Sequence, residues 1–248
     1  MKRSRAIRLE QLLSVWRYQV GTANAALPVI REGLDPAWIV HQAPDLLVLN
    51  KPHGLLCQPG LGPELADSLI SRVQQRWPQA QLVHRLDRDT SGLILVALAS
   101  ELHRELSRMF AERQVQKRYV ADVHGVPDQP HGLIEWPIAK LQHRPPLYGV
   151  DPAGKACSTR WRLLQAHGRC SRLELQPLTG RSHQLRVHLQ AIGHPILGDP
   201  LYGPLASALD DPLGSRLHLH AAALHWLHPG SSESLAFDAP PPFSLPSP

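Results

Sequence analysis

The sequence is poor in cysteine and has no cysteine pair of the kind that binds zinc or forms a compact disulfide framework. Its three cysteines, Cys57, Cys157 and Cys170, are far apart in a chain of 248 residues, and none belongs to a Cys-x-x-Cys motif. This spacing excludes a zinc ribbon and argues against a small disulfide-stabilised secreted protein. We therefore expect a reducing, cytoplasmic environment.

Long hydrophobic runs are also missing. No apolar stretch approaches the roughly 20 residues that a membrane-spanning helix requires. The start of the chain is basic, but polar and charged residues (Glu10, Gln11, Arg17 and Gln19) interrupt the apolar segment that a secretory signal would need. The sequence thus predicts neither a membrane anchor nor a signal peptide.

Fifteen histidines raise the question of a metal centre, but their neighbours do not support one. His218, His220 and His225 lie close together, in a segment whose alternation of apolar and polar residues predicts a strand with a polar face. No Asp, Glu or Cys lies among them to complete a set of ligands. We expect no metal site there.

Composition permits one substantial hydrophobic core, since 43% of the residues are hydrophobic. The formal net charge of +5 favours polyanionic partners, although only modestly. No internal repeat is present. We expect three regions: a basic arm over residues 1–35, a folded catalytic domain over 36–240, and a proline-rich, poorly ordered tail over 241–248.

Periodicity predicts an α+β protein in which antiparallel strand pairs outnumber βαβ units. The predicted strands form a hairpin over 38–51, with a turn at Pro44-Asp45, and continue at 93–98, 117–123, 158–164 and 171–177. The predicted helices cover 65–77, a segment capped by Ser100, and 182–192. Residues 127–155 are rich in proline and glycine and predict an irregular surface excursion with short strands.

The most informative stretch is His-Arg-Leu-Asp-Arg-Asp-Thr-Ser-Gly at residues 84–92. Arg85 and Asp87 are two positions apart, and an apolar run over 93–98 follows at once. A carboxylate at the edge of a core requires a paired cation or hydrogen bonds, which is how an enzyme holds an ionised aspartate ready to react. An ordinary Asx-type turn explains the same residues equally well, and both interpretations stay open.

A second polar constellation occupies residues 179–188. Gly180 predicts a turn, Ser182 predicts a helix cap, and Arg181 adds positive charge at the helix start. Arg186 lies at the edge of the apolar stripe, where a guanidinium typically pairs with a carboxylate or phosphate. The alternative is a solvated arginine on an amphipathic helix. Residues 194–203 follow as a loop whose glycine and proline content indicates tight geometry rather than chemistry.

Taken together, these segments resemble the RluA family of pseudouridine synthases. Residues 84–92 resemble the family's catalytic loop, and residues 179–203 resemble its last long motif. Asn50-Lys51-Pro52-x-Gly54 and Lys117-x-Tyr119 are similar to two further motifs of the family. The resemblance spans about residues 38–240 and is strongest to the short members without an S4 RNA-binding domain. Residues 1–35 are too few for such a domain.

The resemblance implies the pseudouridine synthase fold, a bent, mixed and largely antiparallel sheet flanked by helices, with an active-site cleft between two lobes. It also implies an isomerase that converts specific uridines in structured RNA to pseudouridine without a cofactor or a metal. The implied partners are 23S ribosomal RNA, the tRNA anticodon stem-loop, or both. We expect a cytoplasmic protein, not bound to membranes, that acts as a monomer.

Site residues follow from the resemblance, position by position. Asp87 corresponds to the catalytic aspartate, Tyr119 to the active-site tyrosine that stacks near the target base, and Arg186 to the basic residue paired with the aspartate. Arg85 corresponds to the arginine that helps open the RNA. Residues expected to contact RNA or uridine are Arg85, Lys51, Arg181 and His183.

Two other function classes remain to be weighed. An RNA-binding or RNA-folding module could keep the fold without the chemistry, although the joint presence of Asp87, Tyr119 and Arg186 argues against it. A metal-dependent nuclease needs clustered carboxylates. Asp87 and Asp89 would lie on one face of a strand, but no second acidic cluster accompanies them.

Overall fold

The computed structural model describes residues 33–143, 146–204 and 216–245. Within these ranges the chain forms a ten-stranded sheet, a separate two-stranded sheet and three α-helices. The strands are β1 (Ile39–Gln42), β2 (Leu46–Lys51), β3 (Gln81–Leu82), β4 (Ser91–Ala97), β5 (Gln116–His124), β6 (His131–Ile134), β7 (Ile138–His143), β8 (Pro146–Val150), β9 (Thr159–His167), β10 (Cys170–Pro177), β11 (Leu219–Leu227) and β12 (Ser234–Asp238). The helices are α1 (Leu69–Gln74), α2 (Ser100–Ala111) and α3 (Gln184–Ala191).

The large sheet has the strand order β1-β2-β4-β11-β5-β10-β9-β6, with β3 added to β4 and β12 added to β11. Its described pairs are antiparallel apart from β4 and β11, which run parallel and place Ser91 beside His220 and Gly92 beside Ala221. Strands β7 and β8 form an antiparallel hairpin of their own. The prediction of an α+β protein with a mixed, largely antiparallel sheet is confirmed.

Both faces of the central strands are covered, which explains the continuous apolar run in β4. In β2, Leu47 and Leu49 pack on the same side as α1, whereas Leu46 and Val48 pack on the side of α2. We call the first side the front face and the second the back face. Every residue of β4 is buried, as expected for a strand covered on both faces.

The front face carries a second apolar cluster around α3. Leu185 and Leu189 of this helix pack on Leu173 and Leu175 of β10. Tyr119 of β5 contacts both this cluster and the one beneath α1. The two halves of the front face therefore meet at Tyr119.

The helix predicted over 65–77 is shorter in the structure. It begins at Leu69, because the Ser68 hydroxyl accepts the backbone N–H of Ser71 at 3.2 Å, and it ends at Gln74. Leu65 belongs instead to a separate 3-10 turn, Pro63–Leu65. The predicted stripe is thus divided, because Leu69, Ile70 and Val73 of α1 pack in the front-face cluster whereas Leu65 is exposed.

Two predicted caps are wrong. Ala99 occupies the cap position of α2 and makes no side-chain hydrogen bond, so Ser100 is already inside the helix. Helix α3 is preceded by His183 rather than by Ser182. The Gln184 side chain accepts the backbone N–H of Arg181 at 3.0 Å, which ties the turn before α3 to the first residue of the helix.

The two ends of the chain are described only in part. Residues 1–32 of the predicted arm lie outside the described residues, while Asp35 caps the short turn Pro36–Trp38. The tail was expected to be poorly ordered, yet Phe243 stacks on His218 with ring centroids 4.6 Å apart. In the described part of the chain, no helix is long and apolar enough to cross a membrane.

Candidate functional site

Residues 84–92 comprise most of the connection from β3 to β4 and the first two residues of β4, and we call this segment the Asp87 loop. The backbone N–H of Thr90 donates to the Asp87 carbonyl at 3.2 Å, so a tight turn is present. His84 anchors the start of the loop, since its Nε2 accepts the backbone N–H of Leu95 and its ring stacks on Phe110. Burial lowers the pKa of His84 to about 3, which keeps the imidazole neutral.

Lys51, at the end of β2, hydrogen bonds to the Asp87 loop. Its ammonium donates to the carbonyls of Pro52 at 2.8 Å, Leu55 at 2.7 Å and Arg88 at 2.9 Å. Its side chain is fully buried, and burial lowers its pKa to about 8. We expected Lys51 to contact RNA. The structure places it as a support that ties β2 to the residue after Asp87.

Gly92 and Ser91 fix the other end of the Asp87 loop against β11. Gly92 has φ of +116°, and a Cβ atom there would collide with the backbone of Ala221. The Ser91 hydroxyl bonds Nδ1 of His220 at 2.9 Å and accepts from Arg216 at 2.7 Å. Close packing on β11 therefore requires glycine at position 92.

The Asp87 carboxylate lies against Arg186 of α3. Arg186 Nη1 donates to Asp87 Oδ2 at 3.2 Å, while Nε and Nη2 each donate to the Asp199 carboxylate at 2.8 Å. The side chain of Arg186 is 3% exposed and that of Asp87 is 29% exposed. Burial alone would lower the pKa of Arg186, but the two carboxylates raise it well above its usual range, so the guanidinium stays charged.

Backbone hydrogen bonds fix the carboxylate of Asp199, the partner of Arg186. Its Oδ1 accepts the backbone N–H groups of Leu201 at 2.9 Å and Tyr202 at 3.0 Å. The ring of Tyr202 packs against Arg186, with 5.0 Å between the ring centroid and Cζ. The guanidinium is therefore held by Asp199 along the edge that carries Nε and Nη2 and by Tyr202 on one face, which leaves Nη1 for Asp87.

His183 approaches Asp87 from the same side. Its Nε2 is 4.0 Å from Asp87 Oδ2, and its Nδ1 hydrogen bonds with the Tyr202 hydroxyl at 2.7 Å. Burial lowers the pKa of His183, although the charge of Asp87 partly opposes this. The backbone of His183 has φ of +55°, a left-handed conformation that is uncommon for a residue with a Cβ atom.

Tyr119 of β5 provides an aromatic ring in the same region. Burial raises the pKa of its phenol far above the usual range, and the charge of Asp87 raises it further. The hydroxyl is thus held neutral within electrostatic reach of the carboxylate. The pairing of β5 with β10 and β11 sets its position, since Tyr119 lies opposite Leu175 and Ala221.

The remaining predicted residues lie nearer to solvent. Arg85 is exposed and forms no ion pair with a described residue. Arg181 is exposed, and its Nε is 3.4 Å from the Ala156 carbonyl oxygen, to which it donates. The structure therefore brings Asp87, Arg186 and His183 together with Tyr119, and leaves these two arginines on the surface.

Sequence reasoning missed Asp199 and Tyr202. Both belong to the loop over residues 194–203, in which glycine and proline suggested geometry only. One signal in the sequence could have indicated these two residues. They are a carboxylate and a tyrosine three positions apart, and they closely follow a helix that has an arginine at the edge of its apolar stripe. Both residues matter because their loop folds back against Arg186. Residue spacing along the chain does not reveal that contact.

The three neighbouring histidines have separate partners. His218 Nδ1 faces Asp122 Oδ2 at 3.2 Å, His220 bonds Ser91, and His225 Nε2 bonds the Ser234 hydroxyl at 2.9 Å. No group of three or more His, Cys, Asp or Glu side chains in the described ranges has the arrangement of a metal site.

Chemically, the site presents a partly exposed carboxylate with a fixed cation on one side and a neutral imidazole and phenol nearby. Such a carboxylate can attack an electrophilic carbon or remove a proton. The planar ring of Tyr119 and the exposed cations around the loop suit an aromatic, phosphate-bearing substrate.

Comparisons with known proteins agree with this geometry. A family model described as RNA pseudouridylate synthase matches residues 45–191. The chain is 44% identical to the dual-specificity RNA pseudouridine synthase RluA of Escherichia coli K12 over 207 residues, which covers 83% of this chain and 93% of that protein. It is 46% identical to the RluA protein of Yersinia pestis over 194 residues, which covers 77% and 92% of the two chains.

Solved structures show the same fold. Human RNA pseudouridylate synthase domain containing 1 superposes with a TM-score of 0.70 at 32% identity, covering 83% of this chain and 84% of that one. Human RNA pseudouridylate synthase domain containing 4 superposes with a TM-score of 0.68 at 26% identity. The expected fold, with its mixed sheet and flanking helices, is confirmed.

Proposed function

This chain belongs to the RluA family of RNA pseudouridine synthases, and we propose that Asp87 carries out its isomerisation of uridine, with Arg186 as the paired cation and Tyr119 as the stacking ring. The main observation in support of this proposal is the ion pair between Arg186 Nη1 and Asp87 Oδ2, at 3.2 Å. An aspartate that serves only as a turn residue does not require a buried arginine, held by a second carboxylate, on its open side.

The reaction moves the ribose from N1 to C5 of the same base. The N1–C1′ bond breaks, the uracil turns over, a C5–C1′ bond forms, and the C5 proton leaves while N1 gains a proton. Asp87 serves this reaction as a nucleophile toward the sugar or as the base that removes a sugar proton. Either role requires the carboxylate form of Asp87, and Arg186 Nη1 lies 3.2 Å from its Oδ2.

The neutral phenol of Tyr119 fits the same scheme. A raised pKa keeps its proton in place, so the ring stacks on the uracil and the hydroxyl acts as a hydrogen-bond donor or exchanges a proton with the base. His183, with Nε2 4.0 Å from Asp87, is placed to contact the uridine bound beside that carboxylate.

The substrate we propose is structured RNA, as in the dual-specificity relatives, with ribosomal RNA, tRNA or both as targets. A stacked uridine must be flipped out before Asp87 can reach it, at a cost of a few kcal/mol. We propose that Arg85, which is exposed on the Asp87 loop, fills the space that the base leaves. Arg181 supplies a phosphate contact at the rim, and the enzyme acts as a monomer in the cytoplasm.

Release of tritium from RNA that carries C5-tritiated uridine, measured without added metal, tests this proposal. We expect release by the wild-type protein and none by Asp87→Asn, with the RNA dissociation constant changed less than about threefold. Full activity of Asp87→Asn would refute the assignment of Asp87. RNA binding without any release by the wild-type protein would favour an RNA-binding or RNA-folding module instead.

Arg186 has its own test within the same assay. We expect Arg186→Ala to lose most activity while it keeps much of its RNA affinity, because the arginine faces Asp87 and Asp199 rather than a phosphate. Equal losses in rate and binding would identify it as a phosphate contact. Metal-dependent RNA cleavage would favour a nuclease, although Asp87 pairs with Arg186 and Asp89 with Arg88.

A further inference from the structure

Among the described residues, the hairpin of β7 and β8 forms no strand pairing with the large sheet, yet it contacts the candidate active site. Its side chains Ile138, Leu147 and Tyr148 pack with Val187 of α3 and with Tyr202 in one apolar cluster. Tyr202 is 3% exposed. The hairpin is therefore docked directly on the residue that packs against Arg186.

The Tyr202 hydroxyl makes two hydrogen bonds, one on each side. It accepts the backbone N–H of Tyr148 in β8 at 3.0 Å, and it lies 2.7 Å from His183 Nδ1. Since the backbone N–H of Tyr148 occupies one acceptor position of this hydroxyl, we assign the short contact with His183 as donation of the Tyr202 proton to Nδ1. A neutral imidazole that accepts at Nδ1 carries its hydrogen on Nε2, the nitrogen that faces Asp87.

The backbone of His183 needs this support. Its φ of +55° costs free energy for a residue with a Cβ atom and persists only when its surroundings hold it. The Tyr148 ring meets the His183 ring edge-on, with 5.0 Å between centroids, and the Tyr202 hydroxyl holds the imidazole from the other side. The first contact comes from the hairpin itself, and the second comes from a hydroxyl to which the hairpin donates a hydrogen bond.

We propose that Tyr202 is a positioning residue that couples docking of the β7–β8 hairpin to the orientation of His183 beside Asp87. The inference rests on the proposed catalytic role of Asp87. It adds that the hydroxyl of Tyr202 selects the imidazole form whose Nε2–H points at the reacting carboxylate and the bound uridine. The ring of Tyr202 contributes separately, by packing against the Arg186 guanidinium.

Tyr202→Phe removes the hydroxyl and keeps the ring. We expect kcat for tritium release to fall about tenfold or more, as for the loss of one or two oriented hydrogen bonds, while KM for RNA stays within about twofold. Leu106→Val is the control for a general loss of stability, because Leu106 of α2 is buried in the back-face cluster, away from the candidate site. The kcat of this variant should stay at the wild-type value. A wild-type kcat for Tyr202→Phe would overturn the inference.

Nitrogen-15 NMR of the His183 imidazole provides a readout that does not require activity. The wild-type protein should show Nδ1 without a proton and Nε2 with one, and Tyr202→Phe should show a mixture of both tautomers. His183→Gln identifies the signals by their disappearance. A protonated Nδ1 in the wild-type protein, or an unchanged spectrum in Tyr202→Phe, would contradict the inference.

A double-mutant cycle tests the link to the hairpin. Leu147→Ala loosens the packing of β8, so it should lower kcat in the wild-type background and have little further effect in Tyr202→Phe. Fully additive losses would refute the coupling. Asp87→Asn separates the two proposals. If Asp87→Asn is inactive and Tyr202→Phe has normal activity, only the inference about Tyr202 fails. If Asp87→Asn is active, the proposed role of Asp87 fails.

Discussion

Asp199 binds two of the three nitrogens of the Arg186 guanidinium and leaves Nη1 to face Asp87. The pair joins the loop after α3 to the helix itself and is buried at both ends. Arg186 thus approaches Asp87 with its orientation already fixed. This preorganisation avoids rearrangement of the charge when the substrate binds.

Asp199→Ala should therefore impair both stability and catalysis. Removal of one partner of a buried ion pair leaves an uncompensated charge, so we expect the free energy of unfolding to fall by roughly 3 kcal/mol and kcat by about 100-fold. Urea denaturation and tritium release measure the two effects. Asp238→Ala is the control, because that carboxylate pairs with Arg118 on the surface and should contribute less than about 1 kcal/mol.

Lys51→Met separates a supporting role from an RNA contact. The substitution leaves the carbonyls of Pro52, Leu55 and Arg88 without their donor, so we expect a loss of roughly 3 kcal/mol in the free energy of unfolding and a lower kcat. The salt dependence of RNA binding should not change.

Arg181→Gln should behave in the opposite way. Its stability should be normal, and the slope of the logarithm of RNA affinity against the logarithm of salt concentration should fall in magnitude by about 0.7.

Gly92→Ala should displace the Asp87 loop from β11. An added Cβ meets the backbone of Ala221, which cannot move without disturbing the sheet, and the φ of +116° adds strain. We expect a loss of roughly 3 kcal/mol in the free energy of unfolding, measured in urea. Gly193→Ala has a positive φ but open space around the Cβ position, so it should cost only about 1 kcal/mol. Equal losses would contradict the proposed collision.

Buried histidines should make the protein sensitive to mild acid. Burial lowers the pKa of His84 to about 3 and that of His220 to about 4, from an ordinary value near 6.5. Between pH 6.5 and 5 the unfolded chain binds protons that the folded protein excludes, so stability falls as the pH falls. Each histidine contributes up to about 1.4 kcal/mol per pH unit.

Urea midpoints at several pH values between 7 and 5 measure this acid slope. His84→Gln should reduce the slope, because a glutamine oxygen can accept the Leu95 N–H but does not titrate. Replacement of the exposed His131 by glutamine is the control and should leave the slope unchanged. An identical slope in His84→Gln would show that this residue is not held neutral.

The sequence predicted much of the candidate site because its residues occur in local motifs. Position alone left an Asx-type turn open for Asp87 and a solvated arginine open for Arg186, and the resemblance of both motifs to a known family predicted their pairing. Asp199 and Tyr202 were missed because their loop returns to α3 only in three dimensions. Lys51 was expected to contact RNA or uridine, as the resemblance implies, and its burial depends in part on the carbonyl of Arg88, 37 positions away in the chain.

Element boundaries were less predictable than the elements themselves. The stripe from Leu65 to Trp77 has helical spacing, but the hydroxyl of Ser68 starts the helix later. Likewise, a serine before an apolar stripe predicts a cap, yet the left-handed backbone of His183 occupies that position before α3. In both cases a local hydrogen bond or a tertiary constraint overrode the periodic pattern.

The parallel pairing of β4 with β11 has a consequence for the order of folding during synthesis. Ser91 and His220 are 129 positions apart in the chain, so the Asp87 loop leaves the ribosome well before the strand that supports it. Until β11 has been made, Gly92 and Ser91 lack the backbone on which they rest. We therefore expect the Asp87 loop to reach its final conformation only after β11 has left the ribosome.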